Sequence, residues 1–222
     1  LIEKIGDTGR LTPAQGYGLT ETCGAVTGSV GIYLKDKPNS AGKMVPVLDV
    51  KCIDEDGNEL PRGETGEICL YGPQVIKGYL NRPEATAESI VDGWFHTGDI
   101  GFMDEDNFIY LVDRAKDMVL RGGENVYCSE VEVALYKYPD VSECAVFSVP
   151  DERLGEEVGA AIVPMEGTHP TAEDVRDFCK TKLASFKIPR YIWILDDALP
   201  RNASGKFVKR DLQENLDIAD AK

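Results

Sequence analysis

The stretch DRAKDMVLRGGENVYCSEVE, residues 113–132, marks the point where the sequence pattern changes. Before it, residues 27–112 consist of short alternating segments separated by glycine-containing turns, a pattern that predicts a run of β-hairpins. After it, Ser129 is followed three residues later by Glu132, which is the capping-box pattern of a helix start. The sequence therefore predicts a β-rich part and a mixed part that meet near residues 113–117.

The β-rich part contains segments with a clear strand–turn–strand pattern. VLDVKCID alternates apolar and polar residues, and FHTGDIGFMDEDNFIYLVD has a DEDN turn between two apolar segments. RPEATAESI is predicted to form a short helix among the strands. We therefore expect a small antiparallel sheet or barrel in this part of the chain.

The mixed part alternates helices and strands. VSECAVFSVP, GEEVGAAIVPM and PRYIWILD have the composition of strands. TAEDVRDFCKTKL is predicted to be a helix, with Thr171 and Asp174 at its start and lysines near its end, where each charge suits the helix dipole. The predicted fold class is therefore α+β: a small antiparallel β-sheet or β-barrel subdomain followed by a compact α/β domain.

The composition argues against two classes of partner. The 222-residue chain carries a net charge of −15, whereas surfaces that bind nucleic acid or anionic membranes need clustered lysine and arginine. No apolar run approaches the roughly 20 residues of a membrane-spanning helix, so we expect no transmembrane segment. Six cysteines are scattered without a C-x-x-C pair, which predicts reduced thiols and a cytoplasmic location.

The first candidate site is QGYGLTETCG, residues 15–24. It suggests a dinucleotide-binding loop, but Glu21 replaces the third glycine, and its carboxylate would repel a pyrophosphate unless a metal lay between them. Thr20 could donate to a phosphate oxygen, and Glu21 could hold Mg²⁺, which prefers oxygen ligands. An ordinary Gly/Thr turn explains the spacing equally well.

Two further candidates are GWFHTGDIG and DRAKDMVLRGGENVY. Asp99 lies between two glycines, and an ionised carboxylate there can accept two hydrogen bonds from a vicinal diol such as a ribose. Arg114 could bind a ribose or a phosphate, and Gly122 and Gly123 would let the backbone approach a ligand closely. The alternatives are a turn aspartate, a charged linker and a plain turn.

The fourth candidate is ALPRNASGKFVKR, residues 198–210, which places Lys206 in a basic cluster near the end of an acidic chain. It is not a P-loop, because Pro200 and Phe207 occupy positions where that motif needs Gly and Ser/Thr. On its own, the stretch could be a solvated basic end, a helix start or an arm that reaches a phosphate.

Together these stretches resemble the adenylate-forming superfamily of acyl-CoA synthetases, aryl-CoA ligases, luciferases and peptide-synthetase adenylation domains. YGLTET, GWFHTGDIG, DRAKDMVLRGGENVYCSEVE and PRNASGK occur in the family's order with family-like spacing, over essentially the whole chain. RGGEN in particular is similar to fatty-acyl and related CoA ligases. The resemblance implies that a carboxylate attacks the α-phosphate of ATP to give acyl-AMP and pyrophosphate, after which coenzyme A takes the acyl group as a thioester.

The resemblance also implies roles for individual residues. Thr20 would contact a phosphate, Glu21 would hold Mg²⁺, and Lys206 would be the adenylation lysine, whose ammonium offsets negative charge in the first transition state. The other implied positions are Gln15, Gly16 and Tyr17 at the adenine, Asp99 and Arg114 at the ribose, Asn125 near the nucleotide, Gly122 and Gly123 along the pantetheine tunnel, and Lys116 at a hinge.

The same resemblance implies a division into domains. Residues 1–112 would be the end of a large N-terminal domain with its β-barrel subdomain, 113–117 the hinge, and 118–222 a mobile C-terminal α/β domain. The opening LIEKIGDTGR lacks an initiator Met and resembles the interior of a longer protein, and no Ser/Thr/Gly-rich phosphate loop precedes Gln15. We therefore expect the missing N-terminal portion of the same enzyme to be a partner, and no adenylation by this chain alone.

Three functions remain open from the sequence. The first is an AMP-forming acyl-CoA ligase that takes a small carboxylic acid, expected to be a fatty acid, with ATP, Mg²⁺ and CoA. The second is an adenylation domain that feeds a carrier protein, which the acidic charge disfavours because carrier proteins are usually acidic too. The third is a non-catalytic nucleotide- or partner-binding fragment. One departure from the family pattern is Leu120, which stands where coumarate-type ligases and luciferases have a second hinge-loop lysine, so that role is not transferred.

Overall fold

The computed structural model describes residues 12–203 and 205–222, which contain thirteen strands, five α-helices and four short 3₁₀ helices. The opening LIEKIGDTGR and Ser204 of the Lys206 stretch lie outside the described residues. The chain divides into two compact units: a first unit that ends at Ala115 and a second unit that runs from Lys116 to Lys222.

The first unit contains eight strands and two α-helices. The strands are β1 Ala14–Leu19, β2 Gly24–Val30, β3 Gly42–Met44, β4 Asp49–Ile53, β5 Gly66–Tyr71, β6 Ile90–Val91, β7 Trp94–Met103 and β8 Phe108–Arg114. The helices are α1 Ile32–Asp36 and α2 Pro83–Ser89. The segment RPEATAESI thus forms the predicted short helix, and Pro83 takes its first position, where the missing N–H leaves no helical hydrogen bond unmade.

These strands form one antiparallel sheet with the order β1-β2-β3-β8-β7-β5-β4, and β6 pairs with β7. The predicted DEDN turn connects β7 to β8, and Asp104 Oδ1 accepts the N–H groups of Asp106 and Phe108 across it. In the described part of the chain, β1 and β4 are the two ends of the order, so the sheet is open and not a closed barrel.

Apolar side chains from most of these strands pack into the core of the first unit. The central strand β5 contributes Ile68 and Leu70, both with no exposed surface. Burial of each such side chain favours folding by about 1.5–3 kcal/mol. The buried members of this core are Val26, Leu48, Cys52, Ile68, Leu70, Phe95, Met103 and Ile109.

The second unit contains five strands and three α-helices. The strands are β9 Val119–Arg121, β10 Glu124–Val126, β11 Val141–Asp151, β12 Gly155–Pro164 and β13 Tyr191–Ile194. The helices are α3 Cys128–Leu135, α4 Ala172–Lys180 and α5 Lys209–Asn215. The sheet order is β10-β9-β12-β11, with β13 parallel to β12, a pairing that needs a crossover connection, here one that contains α4.

Helices cover both faces of this second sheet. Alternate residues of β11 belong to different cores: Val146 packs with Val131 of α3 and Val175 of α4, while Phe147 packs with Leu212 of α5. This is the alternation expected of a strand buried on both faces. The prediction of a β-rich part followed by a compact α/β part is confirmed.

Two predicted helix starts have different outcomes. Thr171 and Asp174 form a capping box at the start of α4, where the Asp174 N–H donates to Thr171 Oγ1 at 3.2 Å. The capping box predicted for Ser129 and Glu132 is wrong, because α3 already begins at Cys128 and the Glu132 carboxylate is used elsewhere in the unit. Among the described helices, none combines the length and apolar character needed to cross a membrane.

Candidate functional site

Asp99 lies at the centre of a polar cluster formed by three strands of the first unit. Its carboxylate Oδ2 accepts a hydrogen bond from the hydroxyl of Tyr17 on β1 at 2.6 Å, and Oδ1 lies 3.3 Å from Nε of Arg114 on β8. Asp99 is only 6% exposed, whereas the Arg114 side chain is 52% exposed. The sheet therefore brings together three residues to which the resemblance assigns the nucleoside.

The environment of Tyr17 keeps its hydroxyl a hydrogen-bond donor. Burial raises the pKa of Tyr17 far above its usual value, and the neighbouring Asp99 carboxylate raises it further. A protonated phenol can donate to the carboxylate, and this charge-assisted bond fixes the carboxylate's orientation.

A bulge in β7 sets the direction of the Asp99 side chain. The pairing of β5 with β7 leaves three residues of β7, Thr97, Gly98 and Asp99, opposite the single residue Ile68. Gly98 has a φ of 69°, a left-handed conformation that glycine adopts without steric cost. Extra residues of this kind bend a strand locally and re-aim its side chains. Glycine at position 98 therefore suits the backbone conformation of the bulge, a role that the sequence alone did not show.

Thr20 and Glu21 lie in the 3₁₀ turn Thr20–Thr22 between β1 and β2. The hydroxyl of Thr22 donates to the carbonyl oxygen of Leu19 at 2.9 Å and so helps to hold the turn. Thr20 is exposed and Glu21 is half-buried. The turn thus presents a hydroxyl and a carboxylate side by side.

Glu21 is also held by residues outside its own motif. Its Oε1 accepts a hydrogen bond from the Tyr79 hydroxyl at 3.0 Å, and its backbone carbonyl accepts the Ile76 N–H at 2.8 Å. Burial, followed by the Glu21 carboxylate, raises the pKa of Tyr79, so this phenol stays a donor. A positioned carboxylate beside a hydroxyl is an oxygen donor set that fits Mg²⁺. Sequence reasoning missed Tyr79, because only the folded chain brings it to Glu21.

The remaining residues of the β1 motif have packing roles. The side-chain amide of Gln15 donates to the Ser40 carbonyl at 2.7 Å. A Cβ added to Gly16 would lie 2.8 Å from the carbonyl oxygen of Thr27 on the neighbouring strand. The absence of a side chain at Gly16 therefore permits close pairing of β1 with β2.

Gly122 and Gly123 form the two-residue turn between β9 and β10. Their φ angles are 60° and 90°, and Arg121 pairs with Glu124 across them. This is the backbone of a tight hairpin turn, which favours glycine at both positions. Asn125 follows on β10, exposed and opposite Leu120.

A buried ion pair supports this hairpin. Arg121 makes two hydrogen bonds to the fully buried Glu157 of β12, at 2.7 and 2.8 Å, and the Gly122 N–H donates to the Leu154 carbonyl at 2.8 Å. Sequence reasoning did not identify Glu157, because nothing in its local sequence marks a glutamate that lies in a core.

Lys206 lies on a hydrogen-bonded loop. Asn202 and Lys206 bond twice: the Asn202 N–H donates to the Lys206 carbonyl at 2.9 Å, and the Lys206 N–H donates to Asn202 Oδ1 at 3.0 Å. Arg201 and Phe207 form a β-bridge, and Arg201 donates to the Glu143 carboxylate at 2.6 Å. The Lys206 side chain is exposed, next to the bridge residue Phe207. The described residues of this stretch thus form a hydrogen-bonded hairpin.

A second lysine of the same stretch is held inside the unit. Lys209 Nζ lies 2.8 Å from Glu132 Oε1, and Glu132 Oε1 also accepts the Val146 N–H at 2.9 Å. Burial alone would lower the pKa of Lys209, but Glu132, together with Cys128 and Asp117, raises it above its usual value. Lys209 is therefore a charged anchor, while Lys206 faces solvent.

Lys116 lies in the 3₁₀ turn Ala115–Asp117 and is exposed. The division between the two compact units falls directly before it. The candidate residues thus fall into two groups, one in each unit: Gln15, Gly16, Tyr17, Thr20, Glu21, Asp99 and Arg114 in the first, and Lys116, Gly122, Gly123, Asn125 and Lys206 in the second.

In the described ranges, one group of potential metal-binding side chains lies close together. The ligand atoms of Glu67, Cys69 and His96 lie within 4.8 Å of one another. Glu67 already accepts the Gly98 N–H at 2.9 Å and lies 2.9 Å from His96 Nδ1. Burial raises the pKa of the Cys69 thiol to about 12, so it is a protonated core group. These contacts make the group a support for the β7 bulge.

Two family models match the chain. The model described as AMP-binding enzyme matches residues 3–80, and the model described as AMP-binding enzyme C-terminal domain matches residues 130–206. The first match contains Thr20 and Glu21, and the second ends at Lys206.

Curated relatives are similar over nearly the whole chain. Feruloyl-CoA synthase of Amycolatopsis sp is 43% identical over 206 residues, which are 93% of this chain and 42% of the relative. Fatty acid–[acyl-carrier-protein] ligase ScoC of Streptomyces coeruleorubidus is 43% identical over 212 residues, which are 91% of this chain and 40% of the relative. The chain thus spans about two-fifths of the length of these relatives.

Solved structures show the same fold. The o-succinylbenzoate CoA synthetase from Bacillus subtilis, in complex with its acyl-adenylate intermediate, superposes with a TM-score of 0.84 at 37% identity, over 96% of this chain and 43% of that chain. The same enzyme in complex with ATP and magnesium ion has a TM-score of 0.82 at 37% identity, over 97% and 43% of the two chains.

Proposed function

The chain belongs to the adenylate-forming, AMP-binding enzyme family, and on that premise we propose that it is part of an AMP-forming acid–CoA ligase. Such an enzyme joins a carboxylate to the α-phosphorus of ATP with loss of pyrophosphate, and CoA thiol then displaces AMP from the acyl carbon. The observation that carries the proposal is the cluster of Tyr17, Asp99 and Arg114, because a buried, oriented carboxylate is the group that binds a vicinal diol.

The first unit supplies the nucleotide groups in this proposal. Asp99 accepts hydrogen bonds from the ribose hydroxyls, with Arg114 beside it, and Tyr17 lies next to the base with Gln15 and Gly16. Thr20 donates to a phosphate oxygen. Glu21, held by Tyr79, is the residue that would hold Mg²⁺. When bound, that ion offsets the charge of the phosphate oxygens.

The second unit supplies Lys206 for acid activation. Negative charge builds up on the carboxylate and α-phosphoryl oxygens in the first transition state, and an ammonium in a site that excludes water stabilises it. The anchored hairpin supports this role, since Arg201 and Glu143 fix the base of the loop and leave the Lys206 side chain exposed.

Residues 113–117 are proposed as the hinge of this enzyme, with Lys116 as its pivot. We take residues 1–112 as the end of the large domain and 118–222 as the mobile domain. The division of the chain into compact units next to Lys116 supports this proposal. Gly122 and Gly123 are proposed to border the pantetheine tunnel, and Asn125 to approach the nucleotide.

The acid is proposed to be a fatty acid. The RGGEN segment favours it, and ScoC is named for a fatty acid. The other relatives are named for ferulate and o-succinylbenzoate, so the family by itself leaves the acid open. A panel of fatty and aromatic acids, ranked by kcat/KM, tests this part.

A second candidate function has its own observation. ScoC is named as a ligase that acts on acyl-carrier protein, so the thiol acceptor could be a carrier protein in place of CoA. The net charge of −15 disfavours this alternative, because carrier proteins are usually acidic and would be repelled. Thioester formation with CoA but not with a carrier protein decides between them.

The test uses the longest natural chain that contains this sequence. Acid-dependent pyrophosphate release measures the first step, and CoA thioester the second. Lys206→Ala is expected to lower the first rate at least 100-fold, as for other groups that stabilise transition-state charge. The matched control is Lys137→Ala, an exposed lysine of the second unit. An equal rate for both variants overturns the role of Lys206.

The 222-residue chain alone is expected to release no pyrophosphate, because the sequence contains no phosphate loop before Gln15. Acid-dependent pyrophosphate release from this purified chain contradicts that expectation.

A further inference from the structure

We propose that Glu67 is a positioning residue for Asp99: its carboxylate fixes the β7 bulge that carries Asp99. The ligand-binding consequence rests on the proposed function, whereas the effect on Asp99 rests on geometry alone. No motif of the sequence analysis included Glu67, which lies on β5 at a distance of 32 residues along the chain from Asp99.

Glu67 contacts the bulge on both sides of Thr97. Its Oε1 accepts the Gly98 N–H at 2.9 Å, and its Oε2 lies 2.9 Å from His96 Nδ1. The Glu67 and His96 side chains are 23% and 26% exposed, so both bonds are partly shielded from water. One carboxylate thus contacts the His96 side chain and the Gly98 backbone, in the segment of β7 that leads into Asp99.

The neighbouring residue of β5 completes the support. Thr97 Oγ1 donates to the Ile68 carbonyl at 2.7 Å and accepts the Asp99 N–H at 3.0 Å. Glu67 and Ile68 together therefore bind the bulge through the side chains or N–H groups of His96, Thr97 and Gly98. The backbone conformation that precedes Asp99 is thus held by contacts with β5 together with the bond between Thr97 and Asp99 within β7.

The bulge needs this support because glycine has little conformational preference of its own. Gly98 populates positive and negative φ about equally, so the left-handed conformation depends on external bonds. Removal of the Glu67 carboxylate leaves the Gly98 N–H without its acceptor. Because Asp99 directly follows Gly98, a change in the Gly98 backbone moves Asp99 as well. A small rotation there moves the carboxylate away from the Tyr17 hydroxyl, which it meets at 2.6 Å.

The first experiment needs no ligand. In the 222-residue chain, the ¹³C shift of the Asp99 carboxyl group and the hydrogen exchange of the Gly98 amide are measured by NMR. Glu67→Ala is expected to shift the Asp99 signal and to speed Gly98 exchange about tenfold or more, as for loss of one charge-assisted hydrogen bond. Glu67→Gln is expected to restore most of both signals, because its carboxamide oxygen still accepts the Gly98 N–H.

Glu64→Ala is the matched control, since Glu64 is exposed and lies three residues before Glu67 in the same connection to β5. Resonances of the first unit's own core, such as those of Val26 and Ile109, report whether each variant stays folded. An Asp99 signal that is the same in Glu67→Ala and Glu64→Ala overturns the inference, and so does failure of Glu67→Gln to restore it.

The second experiment titrates the same variants with AMP. Glu67→Ala is expected to raise the Kd about tenfold, Glu67→Gln about twofold or less, and Asp99→Ala to abolish binding. If the unaltered chain does not bind AMP, the proposed nucleotide site fails in this chain, while the Asp99 signal still decides the role of Glu67. AMP binding that Glu67→Ala leaves unchanged overturns the inference.

Discussion

At the residue scale, the candidate site depends on small residues as much as on charged ones. Gly18 of β1 lies where an added Cβ would meet the Gly24 carbonyl oxygen at 2.0 Å, so no side chain fits there without backbone movement. Gly28 of β2 lies in the same pair of strands, but an added Cβ meets nothing within 4 Å. Both glycines lie in strands of the same pair, but only Gly18 leaves no room for a side chain.

Gly18→Ala is expected to destabilise the first unit by about 1–3 kcal/mol, because overpacking of a tight contact forces the strands apart. Gly28→Ala is expected to change the free energy of unfolding by less than about 1 kcal/mol. Urea denaturation, followed through resonances of the first unit, measures both values. Equal stability of the two variants contradicts the packing role of Gly18.

At the scale of elements, the Lys206 hairpin is held by charged groups from a neighbouring strand. Glu143 of β11 accepts hydrogen bonds from Arg201 at 2.6 Å and from the Leu199 N–H at 3.0 Å. The Arg201 guanidinium, and next the Leu199 N–H, lower the pKa of Glu143. These bonds, together with packing of Phe207 against a core of the second unit, anchor the base of the hairpin.

The anchor is expected to weaken at acid pH. Because the pKa of Glu143 is lower in the folded chain, its bonds contribute stability above the ordinary glutamate pKa of 4.5, and this contribution is lost as pH falls through the lowered value. The Leu199 amide shift should therefore titrate with a midpoint below the ordinary glutamate value of 4.5. Glu143→Gln should abolish this titration, and a midpoint at or above 4.5 contradicts the anchor.

At the scale of the whole molecule, the cysteines divide by burial. Cys23 is exposed in the turn after Thr20–Thr22, while the other five are buried in the cores of the two units. Burial raises the pKa of Cys144 to about 12 and that of Cys179 to about 11, so these thiols stay protonated at neutral pH. Thiolate is the reactive form, and burial also blocks access.

The native chain is therefore expected to react with one equivalent of Ellman's reagent at pH 8, and the unfolded chain with six. Cys23→Ser should abolish the fast reaction in the native chain. Fast labelling of two or more thiols contradicts the packing of one or both cores, and peptide mapping identifies which.

The sequence by itself determined that a β-rich part precedes a mixed α/β part, because periodicity and turn residues are local properties. It did not predict the strand Ala14–Leu19 or the helix Ile32–Asp36. Family membership followed from the stretches YGLTET, GWFHTGDIG, DRAKDMVLRGGENVYCSEVE and PRNASGK. The sequence also predicted the start of α4, where Thr171 and Asp174 are close in sequence.

Only the tertiary structure decided which residues support the motifs. Tyr79 reaches Glu21, Glu67 reaches the Asp99 bulge, and Glu132 turns from a predicted helix cap to an ion pair with Lys209. The physical reason is that sheet register and burial determine which side chains meet. A hydrogen bond between residues far apart in the chain has no local sequence pattern. A carboxylate that is shielded from water needs a hydrogen-bond donor or a cation nearby, and the fold decides which one is within reach.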